Sequence, residues 1–402
     1  MENQKFIPVI IGADIGTYSI ARSFYEEYHV ISKIFSQEIL GATNNSKIIN
    51  QTTIPNMNAK DLVKELKDFA KSTKDVKKIL LACSEWYVDI IVKYKDELEK
   101  SGYIIPFVDK KTLDHIVQKD NFYEICEKLK INYPDTIVVT KDNYKDIEIP
   151  WEYPIIAKKS DTNTWHYATF EGKKKVFKIN SYAELQDILN KVYGSSYKEN
   201  FILQKMVKGD DSNMRVLTCY VNKEHEVIFS CLGQPILEEK TPGAIGNYVS
   251  IITREMDKGI LDSAKKFLKE VKYVGFANFD IKYDPEEEKY KFFEINVRLG
   301  RSNFYMTASG ANYTKYLVDE YIENKKEKKE VIAYNPWVYT IVPNCVIKKY
   351  VKDENLVKEY LKLKKEKKYT HPLYYKEDMN IKRWFYIKVA YFNQIRKFKK
   401  YY

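Results

Sequence analysis

The first third of the chain alternates apolar strands with helical stretches, and this alternation limits the fold more than any other feature. FIPVIIG, residues 6–12, is an apolar strand that turns through GADIG into the helical stretch IARSFYEEY, and VISKIFS follows as a second strand. DLVKELKDFAKST is a later helix, leading into the strand KILLACS and the helix VDIIVKYKDELEKSG. Repeated β–α alternation predicts a small doubly wound parallel sheet over roughly the first 115 residues. The turn GADIG lacks the G-x-G-x-x-G order, so it does not point to a dinucleotide site. Asp14, Thr17 and Arg22 lie at this first crossing, where open α/β sheets bind ligands; helix capping by Asp14 or Thr17 is the simpler account.

After residue 119 the pattern changes. NFYEICEKLKI reads as a helix, YPDTIVVT as a strand, and YPIIAKKS as a short apolar strand ending in two lysines. SYAELQDILNKVYG begins at a serine with Glu three residues on, a capping box. FILQKMVKGDDSNMRVLTCYVN reads as a strand, a turn at Gly209 and a second strand, and HEVIFSCLG continues the sheet. DSAKKFLKEVK is a helix, and GFANFDIKYD pairs with KYKFFEINVR across a turn at DPEEE. No internal repeat is evident, and the Lys/Glu run at 325–330 marks a linker.

The second strand of that hairpin continues as FFEINVRLGRSN, residues 292–303. Phe293, Ile295, Val297 and Leu299 share one face, so Glu294, Asn296 and Arg298 share the other. Asp280 lies on the polar face of the partner strand, and the hairpin brings its carboxylate toward Glu294 and Asn296. Two carboxylates and an amide suit Mg²⁺, a hard cation that often shares oxygen ligands with phosphates. Lys119 and Lys158 would then neutralise phosphate oxygens, and Arg298 would stand where negative charge grows during transfer. A solvated strand face explains any one of these residues; the cluster as a set favours the site.

These stretches resemble a known family. NFD followed by FFEINVRLGRS is similar to the metal-binding end of the ATP-grasp fold, YPIIAK to its phosphate-binding lysine strand, and FILQKMVKG to its adenine-binding hinge. FIPVIIGADIGTYSIARSF, NFYEICEKL, VKGDDSNMRVLTCYV, TPGAIGNYV and the hairpin resemble the D-aspartate ligases of Gram-positive bacteria, over residues 1 to about 325. The resemblance implies an α/β and α+β ATP-grasp fold: a Rossmann-like domain over 1–118, an ATP-grasp domain over 119–325 with its hinge near 204–207, and a C-terminal extension over 326–402. It implies Asp280, Glu294 and Asn296 as Mg²⁺ ligands and Lys119 and Lys158 as phosphate lysines. Gln204, Lys205, Met206 and Val207 would read the adenine edge, Asp211 the ribose. Arg298 would stand beside the transferring phosphoryl group. Arg215, or alternatively Arg22, would hold a substrate carboxylate. ATP and Mg²⁺ are the implied cofactors, and D-aspartate and a muramyl pentapeptide precursor the implied substrates. The chemistry would be ATP-dependent joining of a carboxylate to an amine. One departure is the segment SDTNTWHYATFEGKKKVF, which has a single glycine where many relatives have a glycine-rich flap over the triphosphate. The loop TPGAIGNY could close over substrate or serve only as a turn.

Charge separates the C-terminal segment from the rest. The net charge is +11, yet residues 325–402 hold 21 Lys and Arg against 8 Asp and Glu, leaving the remainder near neutral. From Ile381 to Tyr402 there are seven basic residues and no acid. Read as a helix, this tail sets Ile381, Trp384, Phe385, Val389, Phe392 and Ile395 broadly on one side, interrupted by Lys388 and Lys399. Such a face suits an anionic membrane surface or packing on the protein's own body, and both readings stay open. Nucleic acid is not expected, because the basicity does not extend to the main body. The five cysteines lack CxxC spacing and read as reduced core residues of a cytosolic protein; the five histidines lack zinc-ligand spacing. No apolar run reaches the length of a membrane span, and the apolar start is too short for a signal peptide, so a cytoplasmic protein is expected, one that touches the inner face of the membrane if the tail takes that surface rather than the body.

Overall fold

Five parallel strands form the N-terminal sheet: β1 (Phe6–Ile11), β2 (Ser32–Ser36), β3 (Ile49–Thr53), β4 (Lys77–Ala82) and β5 (Tyr103–Ile104). Their order, β3-β2-β1-β4-β5, is that of a doubly wound sheet, with helices supplying the crossovers except between β2 and β3, where residues 37–48 hold no helix. The helix Ile15–Tyr28 starts where Asp14 accepts the Thr17 N–H at 2.9 Å, so capping is the role this aspartate fills. The computed structural model describes residues 4–402 except 161, 243 and 326–328. The middle of the expected 325–330 linker therefore lies outside the described residues, as do Asp161 of the flap segment and Gly243 of the loop TPGAIGNY.

A second, four-stranded antiparallel sheet holds β6 (Thr136–Val139), β7 (Ile155–Lys159), β8 (Val176–Ile179) and β9 (Phe201–Lys205), in the order β6-β9-β7-β8. The helix Tyr182–Gly194 covers it. Ser181 accepts the Glu184 N–H at 3.2 Å, the cap expected from the sequence. The core here is aromatic: Trp165 of the flap segment packs with Phe177, Tyr197 and Phe201.

The third sheet holds β10 (Met214–Val221), β11 (Val227–Glu238), β12 (Tyr248–Arg254), β13 (Gly275–Asp284), β14 (Lys289–Asn296), β15 (Val331–Ala333), β16 (Val338–Thr340) and β17 (Tyr369–Thr370). Its order is β14-β13-β10-β11-β12-β16-β17, with β15 alongside β11. The strands expected on either side of Gly209 are β9 and β10, and they belong to different sheets.

The chain divides into two compact units. The first comprises 1–110, 211–279 and 296–402; the second comprises 111–210 and 280–295. The division falls within the β13 and β14 strands. One buried cluster runs through the first unit, from Phe6 and Tyr18 to Tyr305 and Tyr339, and takes in Ile387 and Phe398 of the final helix. Cys83, Cys126, Cys219 and Cys231 are buried as expected, but Cys345 is exposed at the start of the helix Asn344–Tyr350, which corrects the reading of all five as core residues.

Candidate active site

In the second unit the two expected phosphate lysines meet the expected metal carboxylate. Lys119 opens the helix Lys119–Leu129, and its ammonium forms an ion pair with the Glu294 carboxylate on β14. Lys158 on β7 is buried; its Nζ lies 3.2 Å from Tyr123 Oη, over the rings of Tyr123 and Phe293. Tyr123 in turn donates to the Phe293 carbonyl at 2.8 Å. The Lys119 charge, more than any other influence, holds the Glu294 carboxyl down at about 2, so it is ionised at neutral pH. Burial lowers the Lys158 ammonium to about 7, and the like charge of Lys119 adds to the effect. Two lysine side chains beside this carboxylate are of the residue type that binds phosphate oxygens.

Local hydrogen bonds hold this cluster in place. Asp120 accepts Ser160 Oγ and Asn200 Nδ2, each at 2.7 Å, which fixes the first turn of the Lys119 helix to the ends of β7 and β9. Gln204 is buried and donates to Thr136 Oγ1 at 2.8 Å. Lys205 is the last residue of β9, and its Nζ lies 3.7 Å from Glu287. At Met206 and Val207 the chain leaves the ladder. There the Val207 and Gly209 carbonyls both accept Lys282 Nζ, each at 2.9 Å, so the hinge is held by a side chain from β13. Asp280 lies on β13 two residues before Lys282, on the same face of the strand. Tyr123, Asp120 and Lys282 are absent from the sequence reading. Each acts through contacts distant in the chain, and no local motif announces them.

The remaining candidates lie in the first unit. Asn296 is buried; its Oδ1 accepts Arg298 Nη2 at 3.1 Å, and its Nδ2 donates to the Asn278 carbonyl at 3.4 Å. Arg298 also reaches Glu85 at 3.2 Å, while its buried Nε has no hydrogen-bond partner among the described residues. A buried guanidinium donor of this kind fits an anion beside Asn296. Asp211 accepts Lys240 Nζ at 2.8 Å and the Glu238 N–H at 3.1 Å. Arg215 donates through Nη1 to the Ser212 and Met214 carbonyls, at 3.0 and 2.8 Å, which fixes its direction. Arg22 is buried instead against Phe304 and Tyr375, pairing with Glu26 at 2.7 Å and donating to the Pro372 carbonyl at 2.6 Å. It binds the chain's own C-terminal region, which removes it as the alternative carboxylate holder. Arg301, 3.4 Å from Asp14, is a further cation that the sequence reading passed over.

The donor set fits Mg²⁺. Among the described residues no three His, Cys, Asp or Glu side chains cluster as a metal site. By residue type, the Asp280 and Glu294 carboxylates of the second unit and the Asn296 amide of the first are oxygen donors of the kind Mg²⁺ takes.

A D-aspartate ligase of Enterococcus faecium (strain Aus0004) is 36% identical over 414 residues, covering 100% of this chain and 98% of its own. Residues 247–327 match the family described as Carbamoyl-phosphate synthase L chain, ATP binding domain. Among solved structures, an N5-carboxyaminoimidazole synthetase from Staphylococcus aureus complexed with ADP aligns with a TM-score of 0.59 at 14% identity, covering 83% of this chain and 82% of that one. An L-amino acid ligase from Bacillus licheniformis aligns with a TM-score of 0.57 at 12% identity, covering 80% and 75%.

Proposed function

The chain belongs to the D-aspartate ligase family of ATP-grasp carboxylate–amine ligases, and on that premise we propose that it activates the β-carboxylate of D-aspartate and joins it to the lysine side-chain amine of a muramyl pentapeptide precursor. The observation that carries this reading is the meeting of Lys119, Lys158 and Glu294. The acid itself is supported by the 36% identity to a D-aspartate ligase along the full chain.

In this mechanism Lys119 and Lys158 bind the triphosphate and neutralise charge that grows on the transferring group. Asp280, Glu294 and Asn296 would hold Mg²⁺, which would supply further charge neutralisation at the phosphate oxygens. The segment Gln204–Val207 seats the adenine, and Asp211 the ribose. Arg298, with its buried Nε, steadies the phosphoryl group as a carboxylate oxygen attacks the γ-phosphorus and ADP leaves. Arg215, its direction fixed by two backbone carbonyls, holds the α-carboxylate. The amine then attacks the acyl carbon, and phosphate leaves as the amide forms. A nucleotide-linked precursor and ATP place this reaction in the cytoplasm.

The test is phosphate release with Mg-ATP, a panel of D- and L-amino acids, and a muramyl pentapeptide nucleotide. D-aspartate is expected to exceed L-aspartate and D-glutamate by about tenfold to a hundredfold, because a wrongly directed ammonium leaves a buried acceptor unpaired at about 1–3 kcal/mol. Equal rates with both aspartate enantiomers would overturn the substrate, and no release with any acid would overturn the ligase reading.

A further inference from the structure

The final helix, Ile381–Tyr401, is held to the first unit by one face only. Asn380 caps it by accepting the Arg383 N–H at 3.1 Å. Arg383 is buried: its guanidinium stacks on the Tyr18 ring at 4.5 Å, lies 3.3 Å from Asp378, and donates to the Ala42 and Asn44 carbonyls at 3.1 and 2.9 Å. Ile387 and Phe398 complete the inward face. At 100° per residue, the opposite direction falls between Ile381, Phe385, Val389 and Phe392, with Ile395 and Trp384 along one edge.

Those six side chains stand in solvent. Ile381 is 86% exposed, Phe385 63%, Phe392 61%, Trp384 49%, Val389 39% and Ile395 38%. An apolar stripe about 21 Å long, from Ile381 to Ile395 on a 21-residue helix, is far from the scattered apolar exposure of an ordinary surface. Ile39 and Leu40 are exposed as well, and the next residue, Gly41, has its backbone close against the Tyr386 ring of the same helix.

The charge beside the stripe selects the occupant. Lys382, Lys388, Arg396, Lys399 and Lys400 are exposed along the same helix, which carries no acid. Two copies meeting through this face would set like charges against each other. A nucleic acid would satisfy the cations but leave Ile381, Val389 and Ile395 against phosphates. An anionic lipid surface meets both demands, taking the apolar side chains below its headgroups and pairing the cations with them. No helix among the described residues is long and apolar enough to cross a membrane, so the helix would lie in the interface plane.

We propose that the outward face of the helix Ile381–Tyr401, with Ile39 and Leu40 beside it, docks the protein on an anionic bilayer. The test is co-sedimentation of the full chain with phosphatidylglycerol or phosphatidylcholine vesicles, at low and high salt. Deleting the helix would strip Ile387 and Phe398 from the core, so the informative variant is the double substitution Phe385→Ser, Phe392→Ser at exposed positions. The wild-type chain is expected to sediment with phosphatidylglycerol and at least tenfold less with phosphatidylcholine, with release as salt screens the cations. The double variant is expected to bind at least tenfold more weakly, with unchanged melting temperature and unchanged phosphate release. Three results would overturn the proposal: no sedimentation with phosphatidylglycerol; equal binding by the double variant; or a wild-type dimer that the double variant dissolves while neither binds vesicles. Oligonucleotide capture at lower concentration than vesicle binding would likewise assign the face to nucleic acid.

Discussion

Strand β14 and the final helix look alike in sequence, each with an apolar face and a cluster of charge, yet the structure treats them oppositely. Along β14 and the residues that follow it, Ile295, Val297 and Leu299 are buried, and the charges between them are held by named partners: Glu294 by Lys119, Arg298 by Asn296 and Glu85. In the helix the larger apolar stripe turns outward, and an arginine, Arg383, goes inward with its own carboxylate. Charge fixed by partners on a rigid sheet is suited to positioning a reaction. Charge left exposed beside apolar side chains is suited to a surface that can deform around it. Substitutions should therefore separate the two: in β14 they should affect chemistry, and in the helix they should affect location.

The largest separation is expected at Glu294. Glu294→Gln removes the charge that Lys119 holds ionised, and ATP-dependent ligation should fall by about 10²–10³. Its melting temperature should stay near that of the wild type. Near-normal turnover would remove Glu294 from the site. Arg298→Met should follow, lowering kcat by about 10- to 150-fold through the loss of charge-assisted hydrogen bonds worth about 1.5–3 kcal/mol. An effect confined to KM would instead make Arg298 a ground-state binding residue.

A smaller effect is expected from the protonation of Lys158. Its ammonium sits at about 7 in the free protein, so it is largely neutral at pH 8 and charged at pH 6. A bound triphosphate favours the charged form and raises that value. Binding at pH 8 should then take up about one proton, binding at pH 6 almost none, and affinity should weaken by up to about tenfold per pH unit above 7. Calorimetry in buffers of different ionisation enthalpy reads the uptake, and Lys158→Met should abolish the difference. Persistence of the uptake in that variant would assign it to another group. Smallest of all, Phe385→Ser alone should leave soluble-substrate turnover within about twofold, since exposed substitutions typically change stability by no more than about 0.5 kcal/mol. A larger fall would tie the helix to the chemistry.

Short-range patterns were the readable ones. Alternation along β14 and the Ser181 cap depend on residues two or three apart, so the sequence displays them directly. What it hid was set by partners far along the chain. INQTT, lacking an apolar pattern, is the parallel edge strand β3. The strands flanking Gly209 are legible as strands, but nothing local records that they enter separate sheets. Asp120 and Lys282 carry ordinary surface-type side chains, and only the fold brings them to Asn200 and to the hinge carbonyls. For the final helix the apolar stripe is legible but its direction is not, because Ile387 and Phe398 supply a second apolar face that the core takes instead.

The central claim, that this chain activates a carboxylate of D-aspartate as an acyl phosphate, can be read from the fate of one oxygen. D-aspartate labelled with ¹⁸O in its β-carboxylate, incubated with Mg-ATP and the muramyl pentapeptide nucleotide, should pass one labelled oxygen to each phosphate released, detected by mass spectrometry alongside the amide product. Unlabelled phosphate accompanying product, or equal labelling from L-aspartate, would contradict the account.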